Sequence, residues 1–296
     1  MLTPFRFDFF AMGSPCELLI FAKDNLDAQQ AAQAAILEVQ RIEKKYSRYQ
    51  AESILSQINA SAGKNEWVPC DEETLWLLNF ANTLFENSQG LFDITSGVLR
   101  RVWNFQQPSL PSQTAIDKLL PLIDWSSVKI EAGKIQLPLP EMEIDFGGFG
   151  KEYAADSAAK KLMDHKIAHG YVNLGGDIRA LGPQPDGEPW QIAIQDPRNP
   201  QGIVATLPLY QGGLATSGDY EKFFELDGKR YCHILNPRTG WPVSYWQSIS
   251  IAAPLAIAAG SCSTIAMLLE SEGLAWVKNT GFSYLGITHT GTEVFG

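Results

Sequence analysis

Residues 212–243 hold Ser217, Asp219, His233, Arg238 and Thr239, a concentration of side chains able to donate, accept or relay protons. Their spacing reads as a hairpin flanked by two polar turns. Phe223, Phe224 and Leu226 lead into Asp227-Gly228, a pair suited to the positive φ angles of a tight turn. Tyr231, His233 and Leu235 return on one face, because strand side chains alternate. So short a hairpin brings the turns at residues 216–220 and 236–240 together at its open end, and the five side chains are expected to converge there. An imidazole so placed can take a hydroxyl proton near neutral pH, with Asp219 to orient or assist it.

The rest of the chain must position that group. With 296 residues it has length for one large domain or two small ones, and its apolar and charged fractions are those of a globular protein. A domain of this size buries roughly 75% of its unfolded surface, so it needs no metal or disulfide staple to fold. The net charge of −10 argues against nucleic acid or an anionic membrane as partner, since both call for basic surface. A phosphate ligand would therefore have to be met by local donors or a cation. Cys16, Cys70, Cys232 and Cys262 are widely spaced without a C-x-x-C pair, which suits reduced thiols. Residues 1–15 lack a basic segment followed by a long apolar run, and no stretch is long and apolar enough to span a bilayer. The expectation is a cytoplasmic protein without signal peptide or lipobox.

Phe5, Phe7 and Phe9 alternate, and a Met12-Gly13 turn separates them from a second strand at 17–21. Asp24 is placed to cap a helix running to about Tyr46, with Ala32, Ile36, Val39 and Tyr46 on one face. A second helix starts at Asp71, follows the 3.6 period through Leu77, Phe80, Ala81, Leu84 and Phe85, and stops at Gly90. Residues 106–143 are dense in proline and read as a peripheral excursion. Ile144 to Glu152 runs from a strand through glycines into a helix carrying Ala154, Ala155, Ala158 and Leu162, a place where backbone N–H groups can meet an anion. Strands follow near 171–174, 190–194 and 203–209, then one through Ile249 and Ile251. An Ala/Ser-rich helix spans about Ile257 to Leu269, a short helix Leu274 to Lys278, and a last strand Tyr284 to Thr288. Helices and strands mix without strict alternation, so the expectation is one compact α+β domain over residues 1–296, with mixed sheets and flanking helices.

Ser217-Gly218-Asp219-Tyr220-Glu221 and His233-Ile234-Leu235-Asn236-Pro237-Arg238-Thr239-Gly240 resemble a block of the ApbE family, the FAD:protein FMN transferases. Further similar blocks occur in the family's order at residue 12 and at 47–59, 90–99, 144–156, 171–182 and 259–268. The resemblance implies a T-fold-related domain that binds FAD as substrate and uses Mg²⁺. It also implies the reaction: FMN passes to a Ser or Thr hydroxyl of an acceptor flavoprotein and AMP is released. It places Met12, Tyr49, Leu91, Phe92, Asp93, Asp145, Lys151 and Ile234 at the flavin nucleotide, Gly148, Ser263 and Thr264 at the metal, and His233 with Asp219 at the chemistry. It takes the block at 173–177 as architectural. Members of the family are often exported lipoproteins, an address this sequence does not show.

Plain alternatives stand beside several of these. A lone Asp93 before an apolar run is a helix cap, Tyr49 after a helix is a core aromatic, and the glycines at 147–150 are a turn that needs small residues. His165 and His169 are spaced as a metal pair but lie at a helix C-terminus, where a cation is favourable anyway, and His289 reads as a surface strand residue. Three positions depart from the family pattern: Glu152 replaces a glycine, Gly260 the metal-binding Asp, and Asn236 an Asp. They keep open two other readings, an Mg²⁺-dependent FAD pyrophosphatase yielding FMN and AMP, and a flavin-binding member with weakened catalysis.

Overall fold

The alternating phenylalanines build β1 (Thr3–Ala11), which turns through Met12 (φ 52°) and Gly13 (φ 74°) into β2 (Ser14–Ala22) in the register Ala11 to Ser14. Two left-handed residues are what the twist of a two-residue hairpin demands. The computed structural model describes residues 2–296. Asp24 accepts a hydrogen bond from the Asp27 N–H and starts α1 (Asn25–Tyr46), whose buried stripe runs Ala28, Ala32, Ala35, Val39, Ile42, Tyr46. Ser53 caps α2 (Ile54–Ala60) and, after the short β3 (Val68–Pro69), Asp71 caps α3 (Glu72–Asn87). Gly90 (φ 84°) lies in the turn beyond α3.

Residues 106–143 are better built than their composition suggests. They contain α4 (Gln113–Leu119), β4 (Lys129–Glu131) and β5 (Lys134–Gln136), and the last two join β3 in a small sheet of order β3-β5-β4. Ile116, Trp125, Ile135 and Leu137 from this region are buried. Then come α5 (Gly150–Asp164), β6 (Gly170–Leu174), β7 (Asp177–Gly182), β8 (Trp190–Gln195), β9 (Ile203–Leu209) and β10 (Gly212–Gly218). The chain ends with β11 (Phe223–Leu226), β12 (Lys229–Cys232), β13 (Trp246–Ala253), α6 (Ala256–Leu268), α7 (Gly273–Lys278), β14 (Ser283–Thr288) and β15 (Glu293–Phe295).

Eight strands form one antiparallel sheet of order β1-β2-β6-β7-β10-β13-β14-β15. On one face α5 lies between α1 and α6, and α6 packs on β10 and β13. The β8–β9 hairpin covers the other face, where Trp190, Ile192 and Leu209 pack with Ile178, Ala180 and Leu214. Helix α6 has no charged residue and is buried on several sides, as its Ala/Ser/Ile composition requires. It meets β10 backbone to backbone: a Cβ on Gly213 would lie 2.5 Å from the Leu255 carbonyl carbon and closer still to Ala256. No side chain of its own caps α6. Instead Asp156 of α5 accepts from the N–H groups of Ala256 (3.0 Å) and Ile257 (2.9 Å), and pairs with the buried Arg179 of β7 at 2.9 Å. All four cysteines are free, and no helix among the described residues is long and apolar enough to cross a membrane.

Candidate active site

The expected hairpin is present, with Asp227 (φ 52°) and Gly228 (φ 75°) at its tip and the His233 N–H donating to the Lys222 carbonyl at 2.9 Å across its open end. His233 is half-buried, and its Nδ1 is buried with no hydrogen-bond partner. Burial, then the charges of Lys222 and Lys151, pull its pKa down to about 4. The ring is therefore neutral at physiological pH and able to accept a proton.

Of the five side chains expected to converge, His233 stands apart and the other four separate into three groups. Asp219 gives its two oxygens to Arg198 (2.7 and 2.6 Å), and Oδ1 also meets Arg230 at 3.3 Å; no hydrogen bond joins it to His233. Two cationic partners satisfy that carboxylate better than one imidazole would. Arg198, in the β8–β9 turn, and Arg230, on β12, carried no sequence signal for this role. Arg238 reaches across to the Gln89 carbonyl in the turn beyond α3, while Thr239 accepts from the Trp241 N–H beside its own turn. Asn236 holds the same turn, accepting from the Arg238 N–H at 2.9 Å.

Ser217 goes a third way. Its hydroxyl lies 2.7 Å from Ser263 Oγ and 3.0 Å from Thr264 Oγ1, so β10 and α6 together make a cluster of three hydroxyls. Ser263 also donates to the Gly260 carbonyl one turn back, at 2.9 Å. Glu152 of α5 is buried against Gly260, where its Cγ and Cδ would lie 2.6 and 2.7 Å from an added Cβ. Its Oε2 has no partner, and burial followed by the charge of Asp177 pushes its pKa up to about 8. Beside it Lys151 pairs with Asp177 at 2.7 Å. The block at 173–177 thus contributes a charged partner as well as a turn. Hard oxygens suit a small divalent cation such as Mg²⁺, and the buried Glu152 carboxyl, which holds its proton without such an ion, would release it on binding one. Gly148, the remaining position expected at a metal, packs under Phe92, with a Cβ there 2.7 Å from the ring.

The residues expected at a flavin nucleotide lie on several separate segments. Met12 donates its N–H to Glu43 at 2.7 Å, and the neighbouring Ser14 abuts Gly175, close to Lys151 Nζ. Tyr49 is 81% exposed, which removes the core-aromatic reading; Arg48 donates to its hydroxyl at 2.9 Å and pairs with Asp145. Asp145 also accepts from the Gly147 N–H at 2.9 Å, closing the glycine turn. Leu91, Phe92 and Ile234 are buried, and Phe92 stacks on Phe149 at 6.2 Å. Asp93 caps a 3-10 helix at 94–101, accepting from the Thr95 N–H and hydroxyl (2.7 and 2.6 Å) and the Trp125 N–H (3.2 Å). It also lines a cleft of about 440 Å³ bounded by Gln89, Gly90, Asp124 and Arg238. His165 closes α5, while His169 Nδ1 bonds the Pro183 carbonyl, so they form no metal pair; His289 is exposed in the turn after β14.

An antiparallel sheet backed by helices, with three hydroxyls joined between β10 and α6, a buried carboxyl group on α5 and a neutral imidazole after β12, defines a single-domain α+β enzyme. Comparison with known proteins names its family. The ApbE family profile matches residues 12–285. The FAD:protein FMN transferase of Escherichia coli K12 is 32% identical over 260 residues, 83% of this chain and 73% of its own length, and that of Haemophilus influenzae is 31% identical over 248 residues, 78% and 70%. The crystal structure of the ApbE protein of Thermotoga maritima superposes with a TM-score of 0.90 at 30% identity, covering 99% of this chain and 97% of that one. The apo flavinyl transferase ApbE of Pseudomonas stutzeri gives 0.87 at 26%, covering 100% and 94%. The chain belongs to the ApbE family.

Proposed function

We propose that this protein is an FAD:protein FMN transferase: it moves FMN from FAD to a Ser or Thr hydroxyl of a flavoprotein acceptor and releases AMP. The observation that carries this is His233, a neutral imidazole with an unpartnered buried Nδ1 beside two lysines, in a chain related to proteins of that name. The acceptor oxygen attacks the flavin-side phosphorus, the bond to the bridging oxygen breaks, and the electron pair leaves with AMP. His233 takes the hydroxyl proton. An imidazole held near pKa 4 is a weak base in the free protein, but the negative charge of a bound diphosphate raises it toward neutrality.

Lys222, whose charge reaches both His233 and Tyr49, faces the same anion, and the exposed Tyr49 ring on Arg48 offers a surface for the isoalloxazine. Asp145 joins that surface through its pair with Arg48, and on the family resemblance we assign Met12, Lys151, Leu91, Phe92, Asp93 and Ile234 to the same nucleotide. Asp219 serves by fixing the turn through Arg198 and Arg230 rather than by contact with the base. Ser217, Ser263 and Thr264, with a backbone carbonyl at Gly148, are the groups that would hold Mg²⁺. Bound there, the ion would neutralise charge on the phosphoryl oxygens.

Protein incubated with FAD, Mg²⁺ and a threonine-containing acceptor peptide should give a flavinylated peptide and AMP by mass spectrometry. His233→Ala should abolish the adduct while leaving FAD binding intact. FMN and AMP appearing without adduct, or a fully active His233→Ala, would refute the reading.

A further inference from the structure

Three hydroxyls are neutral and make a weak cation site; an anionic oxygen must join them. On α6 the position to supply it is one turn before Ser263 and Thr264, since residues three and four apart share a face and their side chains lean toward the helix N-terminus. That position is Gly260, which has no side chain to give. The volume its side chain would occupy holds the carboxyl end of Glu152, reaching across from α5, with Cγ and Cδ 2.6 and 2.7 Å from the Cβ position.

The neighbouring carboxylates have partners: Asp177 pairs with Lys151 at 2.7 Å, and Asp156 accepts from the two N–H groups that open α6 and lies 2.9 Å from Arg179 Nε, too poorly aligned for a hydrogen bond. Glu152 alone, 7% exposed, keeps a buried carboxylate oxygen with no partner. A buried carboxyl group left unpartnered is costly unless a ligand completes it. We propose that Glu152 and Gly260 form a matched pair in which α5 supplies the anionic cation ligand that α6 lacks, beside the hydroxyls of Ser217, Ser263 and Thr264. The inference rests on the proposed cation-dependent transfer and assigns a ligand within that site. The two residues compete for one space, so a side chain at 260 would have to push the Glu152 carboxyl out of it.

The test uses the full chain and Mn²⁺ as probe, with binding followed by electron paramagnetic resonance with and without FAD, and thermal unfolding measured in parallel. Glu152→Gln keeps the shape and removes the charge; it should weaken Mn²⁺ by on the order of 10-fold or more without lowering Tm, given that even supporting partners of a metal carry about 10–100-fold. Gly260→Asp alone should lower Tm through collision with Glu152. Combining Glu152→Gly with Gly260→Asp should restore both Tm and Mn²⁺ affinity, and Glu152→Gly alone should restore neither. Mn²⁺ binding to Glu152→Gln as tight as to the parent, no Mn²⁺ binding to the parent at all, or Gly260→Asp tolerated at full Tm would each overturn the pairing. Peptide flavinylation, measured separately, decides the transfer reaction; adduct formation with unaltered Mn²⁺ binding in Glu152→Gln would sink the ligand assignment and leave the reaction standing.

Discussion

Replacing Asp156 with Ala takes three partners from one carboxylate: the Ala256 and Ile257 N–H groups that open α6, and the guanidinium of Arg179. A hydrogen bond to a charged group contributes about 1.5–3 kcal/mol, and stripping one member from a buried ion pair costs about 3–5 kcal/mol. The contributions share one side chain and do not add, so the expected loss is about 3–5 kcal/mol, a large part of the ~5–15 kcal/mol that holds a typical domain together. The intact pair is not itself a strong stabiliser, because burial lifts the Asp156 pKa above its ordinary value despite the N–H donors and Arg179. Most of the loss in Asp156→Ala should therefore come from an Arg179 left buried without a counter-charge, with the Ala180 carbonyl still accepting from it. Asp156→Ala with Arg179→Met should recover at least about 1.5 kcal/mol of it. Urea unfolding of the parent, both single variants and the double variant closes the cycle. A loss below about 1 kcal/mol for Asp156→Ala, or strict additivity in the double variant, would refute this account of how α6 is anchored.

His233 gives a pH signature with a definite sign. Its folded pKa, about 4, lies below the ordinary value of 6.5, so between these the unfolded chain binds a proton that the folded one does not, and stability falls as pH drops through that window. The contribution is up to about 3 kcal/mol, and His233→Gln should flatten the dependence of urea midpoints between pH 7 and pH 4.5; parallel slopes would count against it. Gly213→Ala should destabilise by more than about 2 kcal/mol or prevent soluble expression, because its Cβ would meet helix backbone rather than a movable side chain. Circular dichroism melts near the parent's would contradict that close approach.

Much of the scaffold was legible because its signals are local. Asp24 and Asp71 cap the helices they precede, Met12-Gly13 and Asp227-Gly228 turn the hairpins, and the phenylalanines of β1 alternate as a strand edge should. The sheet at 129–136 was illegible, since two- and three-residue strands have no periodicity to read. Among the candidate site residues the sequence does not show which side chains pair. Ser217, Ser263 and Thr264 meet, but Asp219 turns to two arginines that no spacing rule connects with it. Asp93 follows its plainer reading as a cap, whereas Tyr49 departs from its own by standing in solvent. Glu152 and Gly260 each looked like an isolated departure, and only the crossing of α5 and α6 puts them in one volume. Relations between distant segments depend on which helix lies against which, and that is decided by the whole core.

The contact at Gly213 also fixes a phase. With helix backbone seated directly on strand backbone, α6 has no cushion of side chains along which to slide. A slip of one residue would carry Ser263 and Thr264 about 1.5 Å along the axis and about 100° around it, out of reach of Ser217 together. The hydroxyls are thus set by gearing between two rigid elements, and the chain has no soft intermediate setting in which only one of them is engaged.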